Sequence, residues 1–105
     1  MESNILLYSN DHGKVNIQVR YEDGTFWLTQ KRMAELFSVD VRTINEHLKN
    51  IFRSKELSEE GTIRKIRIVQ TEGNRQVERN VAFYALEAII AVGYRVNSEQ
   101  ATRFR

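Results

Sequence analysis

Residues 28–52 contain two short amphipathic segments joined by a tight turn, and this stretch is the strongest constraint on the fold. In each segment the apolar residues recur three or four positions apart, which places them on one face of a helix. These residues are Met33, Leu36 and Phe37 in the first segment and Ile44, Leu48, Ile51 and Phe52 in the second. Ala34 is small enough to lie where two helices cross closely, so the stretch predicts a helix-turn-helix.

The residues around the two segments refine this prediction. Thr29 and Asp40 are suited to cap the two helices with their side-chain oxygens. Ser38 occupies the turn position that usually holds glycine, where a positive φ costs a residue with a Cβ about 1 kcal/mol. We therefore expect a wider turn or one of another type. His47 takes a place that is often apolar, so we expect Leu48 to complete the buried stripe, with His47 making either a structural hydrogen bond or a phosphate contact.

The remainder of the chain alternates strand patterns with turn formers. Strands are expected at residues 5–8, 15–21 and 25–28, with Asp23-Gly24 as a hairpin turn. A connecting loop at 53–62 precedes a second hairpin formed by residues 62–70 and 75–83, and an apolar helix is expected at 84–96. The prediction is a single α+β domain over residues 1–105 of winged-helix-like type: an N-terminal antiparallel sheet, a helix-turn-helix, a β-hairpin wing and a C-terminal helix.

Composition excludes several classes of function. The 105 residues contain no cysteine, and His12 and His47 do not have the spacing of metal ligands, so we expect neither a metal nor a cofactor. Glu56, Glu59 and Glu60 could suggest a metal-dependent nuclease, but without a second block of ligands they are better explained as a solvated loop. We expect no catalytic residues and no enzyme activity. No segment resembles a membrane span or a signal peptide, which predicts a cytoplasmic protein.

Positive charge is concentrated in two parts of the chain. The net charge of the whole chain is only +2. Residues 28–53 hold five basic and three acidic residues, and residues 61–82 hold five basic and two acidic ones, giving local charges of +2 and +3. A nucleic-acid surface requires such a local excess, although solvated basic faces of other proteins also have it.

The outer face of the second helix and the second hairpin are the candidate DNA-binding surfaces. Arginine pairs with guanine, asparagine pairs with adenine, and lysine neutralises phosphate, whereas Glu46 would need to accept a hydrogen bond from cytosine. A solvated helix face and ordinary strand surface charge remain the alternatives. With about five phosphate contacts, log affinity should fall with log salt at a slope of roughly −4 to −5. The predicted DNA-binding residues are Thr29, Gln30, Arg42, Thr43, Asn45, Glu46, Lys49, Arg64, Lys65, Arg67 and Arg75.

The aromatic and apolar residues outside these surfaces are expected to form the core. Aromatic side chains on short strands beside a helix pair are more often buried than used to stack on bases. We therefore expect buried positions for Tyr21, Phe26, Trp27 and Phe37. In the last helix we expect Leu86, Ile89, Ile90, Val92 and Gly93 to pack inward, with Tyr94 packed and Arg95 exposed.

Several separate blocks in the sequence together resemble the bacterial RhuM family of virulence-associated proteins. The blocks are Trp27-Leu28-Thr29-Gln30, residues 33–37, Thr43-Ile44, residues 47–52, Glu56-Leu57 and residues 89–96. The resemblance implies that the chain is the N-terminal, DNA-binding part of a longer protein with a regulatory role in transcription or virulence. The chain is also distantly similar to the N-terminal domains of phage antirepressors.

A second class of function remains open. The same scaffold could act as a protein-interaction or dimerisation module, and an exposed apolar patch on the second helix would favour that function. A homodimer is compatible with the two-fold symmetry of many DNA-binding proteins. A protein partner could also bind through the C-terminal region that the resemblance implies.

Overall fold

The structure is a computed structural model that describes the backbone of residues 2–10 and 13–103 and the side chains of residues 19–97. Five strands and three helices confirm the α+β class. In chain order they are β1 Glu2–Asn10, β2 Gly13–Glu22, β3 Thr25–Leu28, α1 Gln30–Phe37, α2 Val41–Arg53, β4 Ile63–Glu72, β5 Arg75–Ala85 and α3 Leu86–Arg103. His12, in the turn expected before β2, lies outside the described residues, as does the end of the chain from Phe104.

The strands form one antiparallel sheet in the order β1-β2-β3-β5-β4. β3 pairs with β5 at only two positions, Trp27 with Ala85 and Leu28 with Tyr84. β4 and β5 instead pair along their whole length, from Ile63 with Tyr84 to the turn at Gly73. In the described part of the chain, β4 and β5 therefore continue beyond the other strands as a two-stranded ribbon. We call residues 63–85 the ribbon.

The helices pack on one face of the sheet, which we call the helix face. Leu28 and Tyr84 from the sheet join Met33, Ile44 and Val92 from the three helices in the main core. The opposite face carries a smaller cluster of Trp27, Phe83 and Ala85, with Ile66, Ile68 and Val81 of the ribbon packed against it. Because side chains alternate along a strand, every ribbon residue belongs to one of these two faces.

The turn between α1 and α2 is tight. Ser38 has φ 56° and ψ 47°, the left-handed conformation, so the expectation of a wider turn is wrong. The backbone N–H of Val39 donates to the carbonyl of Ala34 at 3.0 Å and closes the turn. His47 is buried beside Leu48, so the buried stripe of α2 includes both residues.

The two predicted helix caps behave differently. The Thr29 side-chain oxygen accepts a hydrogen bond from the Arg32 backbone N–H at 3.2 Å, as expected for an N-cap. Asp40 has the extended backbone of an N-cap, but its side chain makes no capping hydrogen bond. The prediction of a side-chain cap is therefore confirmed for Thr29 and wrong for Asp40. At the start of α2 the backbone has the geometry of a cap, but the Asp40 side chain makes no capping hydrogen bond.

The last helix starts two residues later than its apolar pattern suggests. Tyr84 and Ala85 remain in β5 because they pair with β3, and the helix begins at Leu86. Ile89, Val92 and Gly93 are buried as expected. Gly93 lies so close to α1 that a Cβ there would be 2.9 Å from two ring atoms of Phe37. The absence of a side chain at Gly93 thus allows α3 to approach the helix pair.

Four expectations about individual side chains are wrong. Ile90 is 62% exposed and Tyr94 is 77% exposed on α3. Arg95 is instead half-buried and donates to Glu56 Oε1 at 3.0 Å. Tyr21 is half exposed and meets the Phe26 ring edge-on at a centroid distance of 5.1 Å. For Ile90, Tyr94 and Tyr21 the sequence identified an apolar or aromatic residue but not whether neighbouring elements would cover it.

Candidate nucleic-acid interface

The outer face of α2 presents three of the predicted site residues to solvent. Arg42, Glu46 and Lys49 are exposed, whereas Thr43 and Asn45 are half-buried. Arg53 is also exposed and lies one turn beyond Lys49 on the same side of the helix. Arg53 is absent from the predicted residues because the sequence pattern places position 53 in the connecting loop. The apolar spacing up to Phe52 already suggests a last turn of α2. Arg53 lies in this turn and is the fourth charged residue on the outer face of the helix.

Two of the predicted DNA contacts take part in a hydrogen-bond network inside the protein. Gln30 Nε2 donates to the Tyr84 hydroxyl at 3.0 Å and to Asn45 Oδ1 at 3.4 Å. The network connects the first turn of α1 with α2 and with β5. Thr29 is likewise engaged by its capping bond. Thr29, Gln30 and Asn45 are thus positioned as structural connections between elements at the start of the helix pair.

A groove of about 540 Å³ separates α2 from the base of the ribbon. Asn45, Lys49 and Arg53 line it on the helix side, and Ile63 and Tyr84 line it on the strand side. Ile63 and Tyr84 face each other across β4 and β5, so the strand side of the groove belongs to the helix face of the sheet. The groove therefore brings the basic end of α2 next to the ribbon.

The predicted cations of the ribbon divide between its two faces. The strand register places Lys65 and Arg67 on the helix face with Ile63, and it places Arg64 and Arg75 on the opposite face. The sequence pattern assigned all four to one DNA-binding wing. Only Lys65 and Arg67 share the face that adjoins the groove.

Some of the cations of the ribbon also form ion pairs with acidic residues of the protein. Arg67 is paired with Glu78 across the ribbon, and Arg79 donates to Glu72 at 2.9 Å. Arg64 is paired with Asp23 at 2.7 Å and with Glu22 at 3.3 Å.

Four cations on α2 and on the helix face of the ribbon make no ion pair with any residue of the described part of the chain. These cations are Arg42, Lys49, Arg53 and Lys65. They carry the excess positive charge that a phosphate backbone could meet.

The described residues contain no group of three or more His, Cys, Asp or Glu side chains that could hold a metal ion. None of the described helices has the length and apolar character needed to cross a membrane.

Comparison with known protein families gives a match to part of the chain. Residues 61–105 match the family model described as "Virulence protein RhuM family". The matched segment comprises the ribbon and α3 and does not include α1 or α2. No curated protein and no solved structure matches the chain. Residues 61–105 are therefore similar to the RhuM family of virulence proteins, the family that the sequence resemblance named.

Proposed function

We propose that this domain binds double-stranded DNA, with α2 entering the major groove and cations of the ribbon contacting the phosphates. Such a domain would serve a cytoplasmic bacterial regulator of transcription or virulence. The observation that carries the proposal is the arrangement around the groove. Lys49 and Arg53 lie on one side of it, and Lys65 lies on the strand face that forms the other side.

The chemistry of the exposed side chains indicates which of them would contact bases and which would contact phosphates. α2 is 13 residues long and exposes Arg42, Glu46 and Lys49, which have the reach and hydrogen-bonding groups needed at base edges. Lys65 and Arg53 would neutralise phosphates and fix the position of the helix. Glu46 disfavours a phosphate neighbour, so its side chain would face a base or solvent. No catalytic step is part of the proposal.

Salt dependence tests the proposal directly. With Lys65 and Arg53 on phosphates, log affinity should fall with log salt at a slope of about −1.8, or 0.9 for each contact. Fluorescence anisotropy of a labelled duplex across a series of NaCl concentrations measures this slope. Absence of duplex binding at low salt, or binding that does not depend on salt, contradicts the proposal.

A matched pair of ribbon variants tests the face assignment. Lys65→Gln and Arg75→Gln each remove one exposed charge, but the two residues lie on opposite faces. Lys65→Gln should weaken binding and reduce the magnitude of the salt slope by about 0.9, and Arg75→Gln should leave the slope unchanged. Equal effects of the two variants would show that binding does not use the helix face selectively. Selection from a random duplex library would then identify any preferred sequence.

Protein interaction is the second candidate function, and α3 supports it better than α2 does. The largest exposed apolar residue on α2 is Val41, whereas α3 exposes Ile90 and Tyr94 one turn apart. Light scattering after size exclusion, with and without duplex, measures whether the domain forms a homodimer. A dimer that is lost in Ile90→Ser and kept in Val41→Ser would assign the contact to α3. A further protein partner would be sought with the full-length protein.

A further inference from the structure

The Arg64 side chain is held by three groups on the face opposite the helices. Its guanidinium carbon lies 4.4 Å from the centroid of the Trp27 ring, within the range of a cation–π interaction. One guanidinium nitrogen is 2.7 Å from Asp23 Oδ2 and 3.3 Å from Glu22 Oε2. The Trp27 indole N–H donates to the Glu22 backbone carbonyl at 2.9 Å, so the ring beneath Arg64 is itself fixed.

These contacts connect the outer strand of the ribbon to the turn between β2 and β3. Arg64 lies on β4, and β4 has no backbone pairing with β2 or β3 among the described strands. The side chain therefore crosses β5 to reach Trp27, Glu22 and Asp23. Backbone pairing between β3 and β5 covers only two positions, and an isolated two-stranded ribbon is marginally stable in water. The direction of the ribbon consequently depends on side chains at its base.

We propose that Arg64 is a positioning residue that sets the direction of the ribbon relative to α2. Its planar guanidinium suits this role, because it stacks on the indole ring while it donates a hydrogen bond to Glu22 and forms an ion pair with Asp23. The positive charge of Arg64 is already balanced by Asp23 and Glu22, and the residue lies on the opposite face from the groove. Arg64 thus acts on DNA only through the orientation of Lys65. The DNA part of this inference rests on the proposed function.

Ribbon orientation can be measured without DNA. The sequence contains no cysteine, so Asn50→Cys on α2 and Asn74→Cys at the ribbon tip accept two spin labels without background. We expect a narrow distribution of label distances in the parent and a broad or shifted one in Arg64→Lys, which keeps the charge but loses the planar contacts. Arg75→Lys is the matched control on the same face. An unchanged distribution in Arg64→Lys overturns the proposal.

A second test asks whether removal of the negative charge of Asp23 strengthens or weakens duplex binding. Asp23→Asn removes a negative charge, which on electrostatic grounds alone strengthens DNA binding. Asparagine tolerates the positive φ of 53° at this turn position, so the turn should be kept. If Asp23 holds Arg64 in place, Asp23→Asn should instead weaken duplex binding about threefold, or 0.65 kcal/mol. Glu35→Gln, at an exposed acid on α1, is the control with the same charge change.

The two measurements separate the possible failures. If Asp23→Asn strengthens binding as much as Glu35→Gln does, Arg64 does not position the ribbon for DNA and the proposal is overturned. If the parent binds no duplex, the proposed function fails, and the label distances alone decide whether Arg64 orients the ribbon. Circular dichroism of each variant establishes that the fold is present before either measurement is interpreted.

Discussion

Replacing Gly93 by alanine should destabilise the domain, although alanine has a higher helix propensity than glycine. Alanine favours the helical backbone over glycine by about 1 kcal/mol. The new Cβ would, however, lie 2.9 Å from two ring atoms of Phe37, about 0.6 Å closer than the shortest comfortable carbon–carbon contact. Phe37 is a buried ring in the main core and has little room to retreat. Overpacking of this kind costs about 2 kcal/mol, so the net loss should be about 1 kcal/mol.

Urea denaturation of Gly93→Ala measures the free energy of unfolding, and a thermal melt should show a midpoint about 5 °C lower. A double-mutant cycle with Phe37→Leu isolates the contact, because the shorter side chain makes room for the new methyl group. The two changes should therefore cost less together than separately, with a coupling of about 1 kcal/mol. A Gly93→Ala variant that is more stable than the parent, or strictly additive costs, would refute the steric argument.

Four other substitutions test the local interactions of the helix pair and of the turn between β2 and β3. Thr29→Ala should cost about 1 kcal/mol and Asp40→Ala clearly less in chemical denaturation, since only Thr29 makes a capping hydrogen bond; equal costs would contradict the assignment. Tyr84→Phe removes the hydroxyl that accepts from Gln30 and should cost about 1 kcal/mol, with a thermal melt as the measurement. Gly24→Ala should destabilise the domain by about 1 kcal/mol because φ is +79° there, and a neutral result would mean that the turn rearranges.

The parts of the fold that the sequence predicted well depend on short-range patterns. The Asp23-Gly24 turn predicts a hairpin, and both residues have positive φ as such a turn requires. The apolar stripes of the two helices are equally local, and Met33 and Ile44 are fully buried. Residues 25–28 form β3 with the predicted bounds. Each of these features is decided by neighbours in the sequence.

The features that the sequence did not predict depend on long-range pairing. The start of α3 is decided by backbone pairing of Tyr84 and Ala85 with β3, more than 50 positions earlier in the chain. The faces on which Arg64 and Lys65 lie relative to the helices follow from the pairing of β4 with β5, which a charge pattern along one strand does not contain. The exposure of Tyr94 depends on which neighbouring elements pack against α3. The sequence thus predicts a set of residues for the candidate site. The structure is needed to say which of these residues share a face and which are engaged in contacts within the protein.

The projecting ribbon also carries a risk of self-association. Residues 75–83 of β5 have no described partner on the side of β3, and the outer side of β4 is a sheet edge. Unpaired backbone groups along such edges can add strands from another copy of the chain, and charged side chains discourage this addition. The charged side chains of Lys65, Arg67 and Glu78 therefore discourage strand addition at the ribbon, whether or not the domain binds DNA. Variants that neutralise ribbon charges lose some of this protection, and loss of DNA affinity in such variants is interpretable only when the protein is monodisperse.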